Sequence, residues 1–413
     1  MKIKASIILL HYTSFPVVGG VEEVVRQQAL LFSGHGHNVK IITGEGVCFD
    51  PSIPVISNTL INSNNHQIIT LQNELIKYNK RSKQFETIVK VIEEFLSNHL
   101  KGFDFLIAHN VLTMQYNLPL AYALHNLSKK NIVKIIAWCH DSLFFYKDIP
   151  KVYYTSPYNI LRKYNDDIYY VTISESRGYE FSQLLGINNI KVINNGIDPI
   201  EFFELSNDTI GIIKSENLFE SDLIMLQPSR LHPRKNIELS INVTRSLIDR
   251  GVKTKLLVTG AFDPHEKSTK LYFDKLKHMI SQLFLEDNVL ILAGYNGKTN
   301  KILTVSRLMI KDLYLISDIL FMPSIQEGFG IPLIEAGLNK LPIVCSRIGP
   351  FKNIADGYAL FFNLEEQPDK IALKIIDYLK YLPTQNFFRK ILKEYTWDNI
   401  YKLILLPYIE KLT

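Results

Sequence analysis

The stretch Asp318-Ile-Leu-Phe-Met-Pro-Ser-Ile-Gln-Glu327-Gly-Phe-Gly-Ile-Pro-Leu-Ile-Glu335 decides how the chain is read. Asp318–Met322 is a short apolar run, the length of one buried strand. Pro323-Ser324 turns the chain. Gly328, Phe329, Gly330 and Ile331 follow, and the two glycines let backbone approach a ligand closely because they carry no Cβ. Pro332 suits the start of a helix. A helix over Pro332–Gly337 places Glu335 in its first turn, beside backbone N–H groups that can hold phosphate. Glu327 and Glu335 can accept hydrogen bonds from sugar or ribose hydroxyls. A glycine-rich turn with two solvated acids is the plainer alternative; the strand before it and the helix after it favour a ligand site.

The same alternation extends in both directions. Asp222–Gln227, Thr254–Thr259, Asn288–Ala293 and Pro342–Ser346 read as strands, separated by helices near Ile237–Arg250, Lys270–Leu283 and Asp312–Ile316. Upstream, Lys4–Leu10, Asn38–Thr43, Asp104–Ala108, Val133–Trp138 and Ile168–Ile173 are strand candidates, with helices over Val21–Ser33, Thr113–Leu127 and Glu175–Leu185. Strands alternating with helices imply parallel sheets covered on both faces. The expected class is α/β, with two doubly wound Rossmann-like units over residues 1–200 and 201–387. Pro199–Ser221 reads as a polar, irregular connection. Residues 388–413 read as a terminal piece that carries Trp397, Ile400, Leu403, Ile404, Tyr408 and Ile409 at helical spacing, with a kink at Pro407. Residues 60–100, rich in Asn and Lys, are the least informative.

Composition narrows the function classes. The chain has 413 residues, of which 46% are hydrophobic and 21% charged, as in folded globular chains. A net charge of +5 is modest for this length and does not argue for nucleic acid; at most it allows peripheral contact with anionic lipid. Cys48, Cys139 and Cys345 have no metal-type spacing and no pairing framework, which points to a reducing cytoplasm. The N-terminal apolar run is interrupted by His11-Tyr12-Thr13-Ser14 and reads as a strand, not a leader. No stretch reaches the roughly 18 apolar residues of a membrane span. Oligomeric state is not legible.

Other motifs sit at predicted strand ends, where open α/β sheets bind ligands. Ser229-Arg230-Leu231-His232-Pro233-Arg234-Lys235-Asn236 follows the first strand of the second unit. Arg230 and Lys235 supply fixed positive charge for a diphosphate; a solvated basic loop is the alternative. Gly19 and Gly20, in Val17-Val18-Gly19-Gly20-Val21-Glu22, bare backbone N–H groups at a helix start or make a tight turn. His140 and Asp141 end one strand, and His109 and Asn110 end another; His109, Asn110 and Asp141 face an acceptor in this reading. Met114 and Tyr116 read as ordinary helix-face residues. No His, Cys and carboxylate cluster has metal-ligand spacing.

Taken in order, these residues resemble the family-4 retaining glycosyltransferases over nearly the whole chain. Val18–Glu22 resembles the family's N-terminal glycine loop. Val192-Ile193-Asn194-Asn195-Gly196-Ile197-Asp198 is similar to its V-I-P-N-G-V-D segment, with Asn194 in place of proline. Ser229-Arg230 with Lys235-Asn236 resembles its phosphate motif, and Glu327 to Glu335 its E-x7-E motif. Phrases such as Ala108–Val111, Trp138–Asp141 and Asp263-Pro264-His265 resemble the branch that includes mannosylglucosylglycerate synthases. The resemblance implies a GT-B fold, two Rossmann-like domains facing a central cleft, with the terminal helix crossing back to the first. It implies a nucleotide-diphosphate sugar donor, GDP-mannose or UDP-glucose, and a hydroxyl acceptor, with no permanently bound cofactor and no required divalent metal. Arg230 and Lys235 would neutralise the diphosphate, Glu327 would touch the sugar and Glu335 the ribose. Gly328, Phe329 and Gly330 would present backbone to the donor, and His140 would lie near the reacting sugar. A sugar-nucleotide epimerase, or a binding module without turnover, remains the competing reading.

Overall fold

The computed structural model describes residues 4–188, 190–260, 268–295 and 305–413; the motif Asp263-Pro264-His265 lies outside them. The chain forms two units. One comprises the residues up to Asp198 together with Tyr395–Thr413, the other Pro199–Glu394.

In the first unit, seven parallel strands lie in the order β3-β2-β1-β4-β5-β6-β7. They are β1 (Ser6–His11), β2 (Asn38–Thr43), β3 (Val55–Ser57), β4 (Phe105–His109), β5 (Lys134–Cys139), β6 (Ile168–Thr172) and β7 (Lys191–Val192). Ile7, Ile8, Leu9 and Leu10 are all fully buried. Ile7 and Leu9 pack on helix Gly20–Gly34, while Ile8 and Leu10 pack on the other layer of helices. Burial on both faces is why β1 is apolar without alternation.

Residues 60–100 contain two helices, His66–Tyr78 and Lys83–Leu100. Asn65 accepts from the N–H groups of Gln67 and Ile68, and Ser82 from that of Phe85, so each helix start is capped. Ile68, Leu71 and Leu75 bury one face, and Phe85, Ile88, Ile92 and Leu96 the other. The helix expected over Thr113–Leu127 begins later: Gln115–Asn117 is a 3-10 turn and the α-helix runs Leu118–Ser128. Asn117 causes the break, accepting from Leu120 N–H and donating to the carbonyls of Leu60 and Ile61.

The C-terminal segment completes this unit. Ile197 N–H donates to Tyr395 O at 2.8 Å, and Trp397 N–H to Ile197 O at 3.2 Å. A Cβ on Gly196 would stand 2.7 Å from the Trp397 ring, so glycine there makes room for the indole. Tyr401 stacks on His35, with centroids 3.7 Å apart, and bonds His37 Nε2 at 2.7 Å. Trp397–Ile400 is α-helical, Tyr401–Leu405 is a π turn and Leu406–Leu412 is α-helical. Pro407 therefore stands in the first turn of the last segment, where its missing N–H costs little, and the irregularity falls before it.

The second sheet has the order β10-β9-β8-β11-β12-β13, again all parallel. Its strands are β8 (Leu223–Gln227), β9 (Thr254–Val258), β10 (Val289–Ile291), β11 (Ile319–Met322), β12 (Ile343–Ser346) and β13 (Leu360–Phe362). Pro199–Ser221 is not irregular. It holds helices Pro199–Phe202 and Asn207–Glu216, because its polar residues anchor helix ends: the Ser206 N–H and hydroxyl and the Thr209 hydroxyl all donate to Asp312 Oδ2. The division expected at residue 387 falls inside helix Pro383–Glu394, which Arg389 and Gln385 tie to Asp318 of the second unit.

Candidate functional site

Each sheet reverses its strand order once, between β1 and β4 in the first unit and between β8 and β11 in the second. Helices before and after such a point leave the sheet on opposite faces, which opens a crevice at the strands' carboxyl ends.

In the second unit the reversal brings two distant motifs together. The loop after β8 is folded by the buried Gln227, whose amide donates to Lys235 O at 2.9 Å and whose carbonyl accepts from the Ser240 hydroxyl at 2.6 Å. The loop after β11 docks on it through Ile325 N–H to Arg234 O at 2.8 Å. Lys235 Nζ then reaches Glu327 Oε1 at 2.5 Å, a half-buried ion pair that Ser324 Oγ joins at 2.8 Å. Ser324 is held in turn by the Ser346 hydroxyl on its carbonyl. Arg230 is exposed on the same loop as Lys235.

Gly330 caps helix Ile331–Leu338 with φ +119, a conformation that favours glycine; an added Cβ would also press on Phe351 at 3.0 Å. Gly328, Phe329 and Ile331 are exposed. Pro332 has no N–H, and Leu333 N–H is spent on Gly330 O. Glu335 is the fifth residue of this helix, past the first turn where the sequence reading put it. Its Oε2 accepts from the Tyr314 hydroxyl at 2.7 Å. Burial, then the adjacent Glu335, raise the Tyr314 hydroxyl well above the ordinary phenol range, so it stays a donor. Sequence reading passed over Tyr314; nothing local to it signals the contact.

In the first unit the reversal carries a pocket of about 470 Å³, within the range of small-ligand sites. His11, Tyr12, Thr13, Gly20, Glu22, Ser63, Asn110, Tyr116, His140 and Asn195 supply its polar lining. His11 donates from Nδ1 to His109 O at 2.8 Å and places Nε2 3.7 Å from Glu22 Oε1. Thr13 donates to the same carboxylate oxygen at 2.6 Å. The His11 imidazole holds the Glu22 carboxyl down at about 2, against partial burial and with help from Thr13. A Cβ on Gly19 would lie 2.1 Å from Glu22 Oε2, so this glycine lets the glutamate fold back over the helix start.

His140 is 8% exposed and His109 is fully buried; their rings meet at 3.1 Å, Nε2 to Nδ1. Burial, then His11, push the His140 imidazole down to about 3. Burial, then His140, hold His109 well below its usual value. His140 is therefore uncharged at neutral pH and a weak base.

His109 does not line the pocket: it backs His140 from within the core, and the acceptor-facing place assigned to it from sequence is corrected accordingly. Asn110 lines the pocket at φ +57, and its Oδ1 accepts from the N–H groups of His140 and Asp141. Asp141 points to Tyr146 and to Arg177, 3.1 Å away, and is not among the lining residues. Gly20 lines the pocket; Gly19 does not. Tyr116, read as an ordinary helix-face residue, also lines it, because the 3-10 turn re-aims its side chain. His11, Tyr12, Thr13 and Glu22 went unassigned; the polar run directly after an apolar strand was the available signal. Asn194, in the proline position, donates to Ile173 O at 3.1 Å and so pins the segment by a hydrogen bond where proline would do it by stiffness. Among the described residues no cluster of His, Cys, Asp or Glu could hold a metal ion, and no helix is long and apolar enough to cross a membrane.

Residues 209–394 match the family model described as glycosyl transferases group 1. That stretch, a little under half of the chain, is similar to the group 1 glycosyl transferases and spans the strand-end motifs of the second unit, Arg230 to Glu335. Mannosylglucosylglycerate synthase of Petrotoga mobilis is 25% identical over 364 residues, covering 81% of each chain. An uncharacterised glycosyltransferase of Methanocaldococcus jannaschii is 28% identical over 246 residues, 56% of this chain and 57% of its own length. The O-antigen chain mannosyltransferase RfbU of Salmonella typhimurium is 26% identical, over 63% of this chain and 65% of its own. Among solved structures, sucrose-phosphate synthase from Thermosynechococcus elongatus is 16% identical over 99% of each chain, with a TM-score of 0.39.

Proposed function

We propose that the protein is a retaining hexosyltransferase that moves mannose or glucose from a nucleotide-diphosphate sugar to a hydroxyl acceptor. The observation that carries this reading is the meeting of Lys235 and Glu327 at 2.5 Å where the second sheet reverses, with Arg230 on the same loop. A diphosphate offers Lys235 a second anionic partner, and each charge-assisted contact contributes about 1.5–3 kcal/mol. In this reading Arg230 and Lys235 neutralise the diphosphate, Glu327 touches the sugar, and Glu335, steadied by Tyr314, holds the ribose. Gly328, Phe329, Gly330 and Ile331 present backbone to the donor. The acceptor hydroxyl attacks C1, the C1–oxygen bond to phosphate breaks, and the hydroxyl proton passes to the departing phosphate oxygen. The weak basicity of His140 favours that proton path over a general base, so His140 serves as a neutral hydrogen-bonding group beside the sugar. Arg230 and Lys235 supply charge that a metal would otherwise provide, so we expect turnover to survive EDTA.

Similarity to mannosylglucosylglycerate synthase and to a mannosyltransferase supports mannose as the first sugar to try, with GDP-mannose the first donor in the panel. The test is release of nucleotide diphosphate over a panel of GDP- and UDP-sugars, with and without acceptors, followed by NMR of the product's anomeric proton. Acceptor-dependent release and an α-linked product from an α-donor are expected. A β-linked product would overturn retention, and conversion of the donor sugar without transfer would favour an epimerase.

A further inference from the structure

Resting on the glycosyl-transfer reading, we infer that the first unit's pocket takes an uncharged saccharide or polyol as acceptor and selects against acceptors that carry phosphate or carboxylate. Three observations carry this. First, no lysine or arginine is among the described residues that line it, whereas the Glu22 carboxylate is. An anionic acceptor would bring like charge against Glu22 with no lysine or arginine among the described lining residues to offset it, and like-charge contacts in a recessed site are strongly unfavourable. Second, the basic groups close by are committed. His11 spends one nitrogen on the His109 carbonyl and turns the other to Glu22, and His140 is uncharged. Arg177 is bound to Asp141 at 3.1 Å and to Glu180 at 2.9 Å. Third, the pocket is built for hydroxyls. Tyr12 is 4% exposed, yet among the described residues its hydroxyl has no hydrogen-bond partner, and the Asn195 side-chain carbonyl lacks one as well. Buried polar atoms of this kind call for a partner. Both residues line the pocket, and between them they match the donor and acceptor character of an alcohol. Tyr116 stands edge-on to Tyr12, ring centroids 6.1 Å apart, and is exposed enough for its ring to meet the apolar face of a sugar. A site that hydrogen-bonds hydroxyl groups also discriminates sharply against molecules that leave those groups unmatched.

The experiment compares matched acceptors with the best donor: a neutral disaccharide or polyol, the same molecule bearing a phosphate, and a carboxylated counterpart such as a glucosylglycerate. The neutral acceptor is expected to show kcat/KM at least about tenfold above its charged counterparts, chiefly through KM. Glu22→Gln should narrow that ratio. Tyr12→Phe, which keeps the ring, should raise KM for the neutral acceptor and leave donor KM unchanged; it serves as the independent arm should Glu22→Gln fail to fold. Equal or better use of a charged acceptor would overturn this inference alone, as would an unaltered ratio in a folded Glu22→Gln protein. Absence of transfer to every acceptor would instead overturn the glycosyl-transfer reading beneath it.

Discussion

The two units reverse their strand order at corresponding places and put different chemistry there. Between β1 and β4 the groups are imidazoles, hydroxyls and one carboxylate, and His11, His109 and His140 are at most 8% exposed. Between β8 and β11 they are a lysine, an arginine and a glutamate on loops whose Arg230, Gly328 and Phe329 face solvent, with a second glutamate, Glu335, on the helix that follows. Topology sets where a ligand can sit; the loops that follow the strands set what kind. A recessed lining of neutral hydrogen-bonding groups around one carboxylate suits hydroxyl groups, and an open one that carries cations suits a diphosphate. The first unit also depends on a segment from the far end of the chain, Tyr395–Thr413, whereas the second is continuous in sequence.

The largest effect should come from breaking that dependence. Trp397→Ala should destabilise the first unit by about 3–5 kcal/mol, the usual cost of hollowing out a buried tryptophan. Hydrogen exchange resolved by unit would show it, and unchanged protection in β1 and β2 would refute the packing role. Next, Arg230→Ala and Lys235→Ala should each cost about 1.5–3 kcal/mol of transition-state stabilisation, a loss of roughly ten- to a hundredfold in kcat/KM, in folded proteins. Wild-type turnover in both would sink the phosphate assignment of the second site.

Acid should separate the units more gently. His140 and His125 are pushed down to about 3 and about 4, and His109 and His37 are also lowered, in each case chiefly by burial. All four lie in the first unit. The unfolded chain binds protons at these sites below about pH 6.5 and the folded unit does not. Their contribution is therefore complete above that pH and is lost as pH falls toward 4; that of Glu22 follows as pH falls toward 2. The chain has two tryptophans, Trp138 and Trp397, both in this unit, so their emission reports it selectively. A denaturation midpoint by tryptophan emission that is the same at pH 7 and pH 5 would contradict the assignment. The smallest change is Tyr314→Phe, which removes one hydrogen bond to Glu335. Donor KM should rise a few-fold, about 1 kcal/mol, with kcat little altered; a drop in kcat alone would place Glu335 at the reacting sugar instead.

Much of this organisation is local and therefore legible in the chain. β2 over Asn38–Thr43 and the helix Glu175–Leu185 fall where hydrophobic period and capping put them, since both signals act within a few residues. The helices of residues 66–100 were hidden by Asn and Lys on their outer faces, although Asn65 and Ser82 mark their starts. The apparent connector Pro199–Ser221 misled for a related reason: Ser206 and Thr209 look like loop residues until Asp312, about a hundred positions away, appears as their partner.

What the sequence alone determined is the class of the fold, two parallel α/β units, and the residue types waiting at strand ends: Arg230 and Lys235, Glu327 and Glu335, His140. What only the tertiary structure decided is who meets whom. Lys235 finds Glu327 across 92 positions, Glu335 finds Tyr314, and Glu22 finds His11 while folding back over Gly19. Such partners depend on strand order, on the direction a side chain leaves its turn and on burial, and these are properties of the packed chain that short-range pattern does not carry.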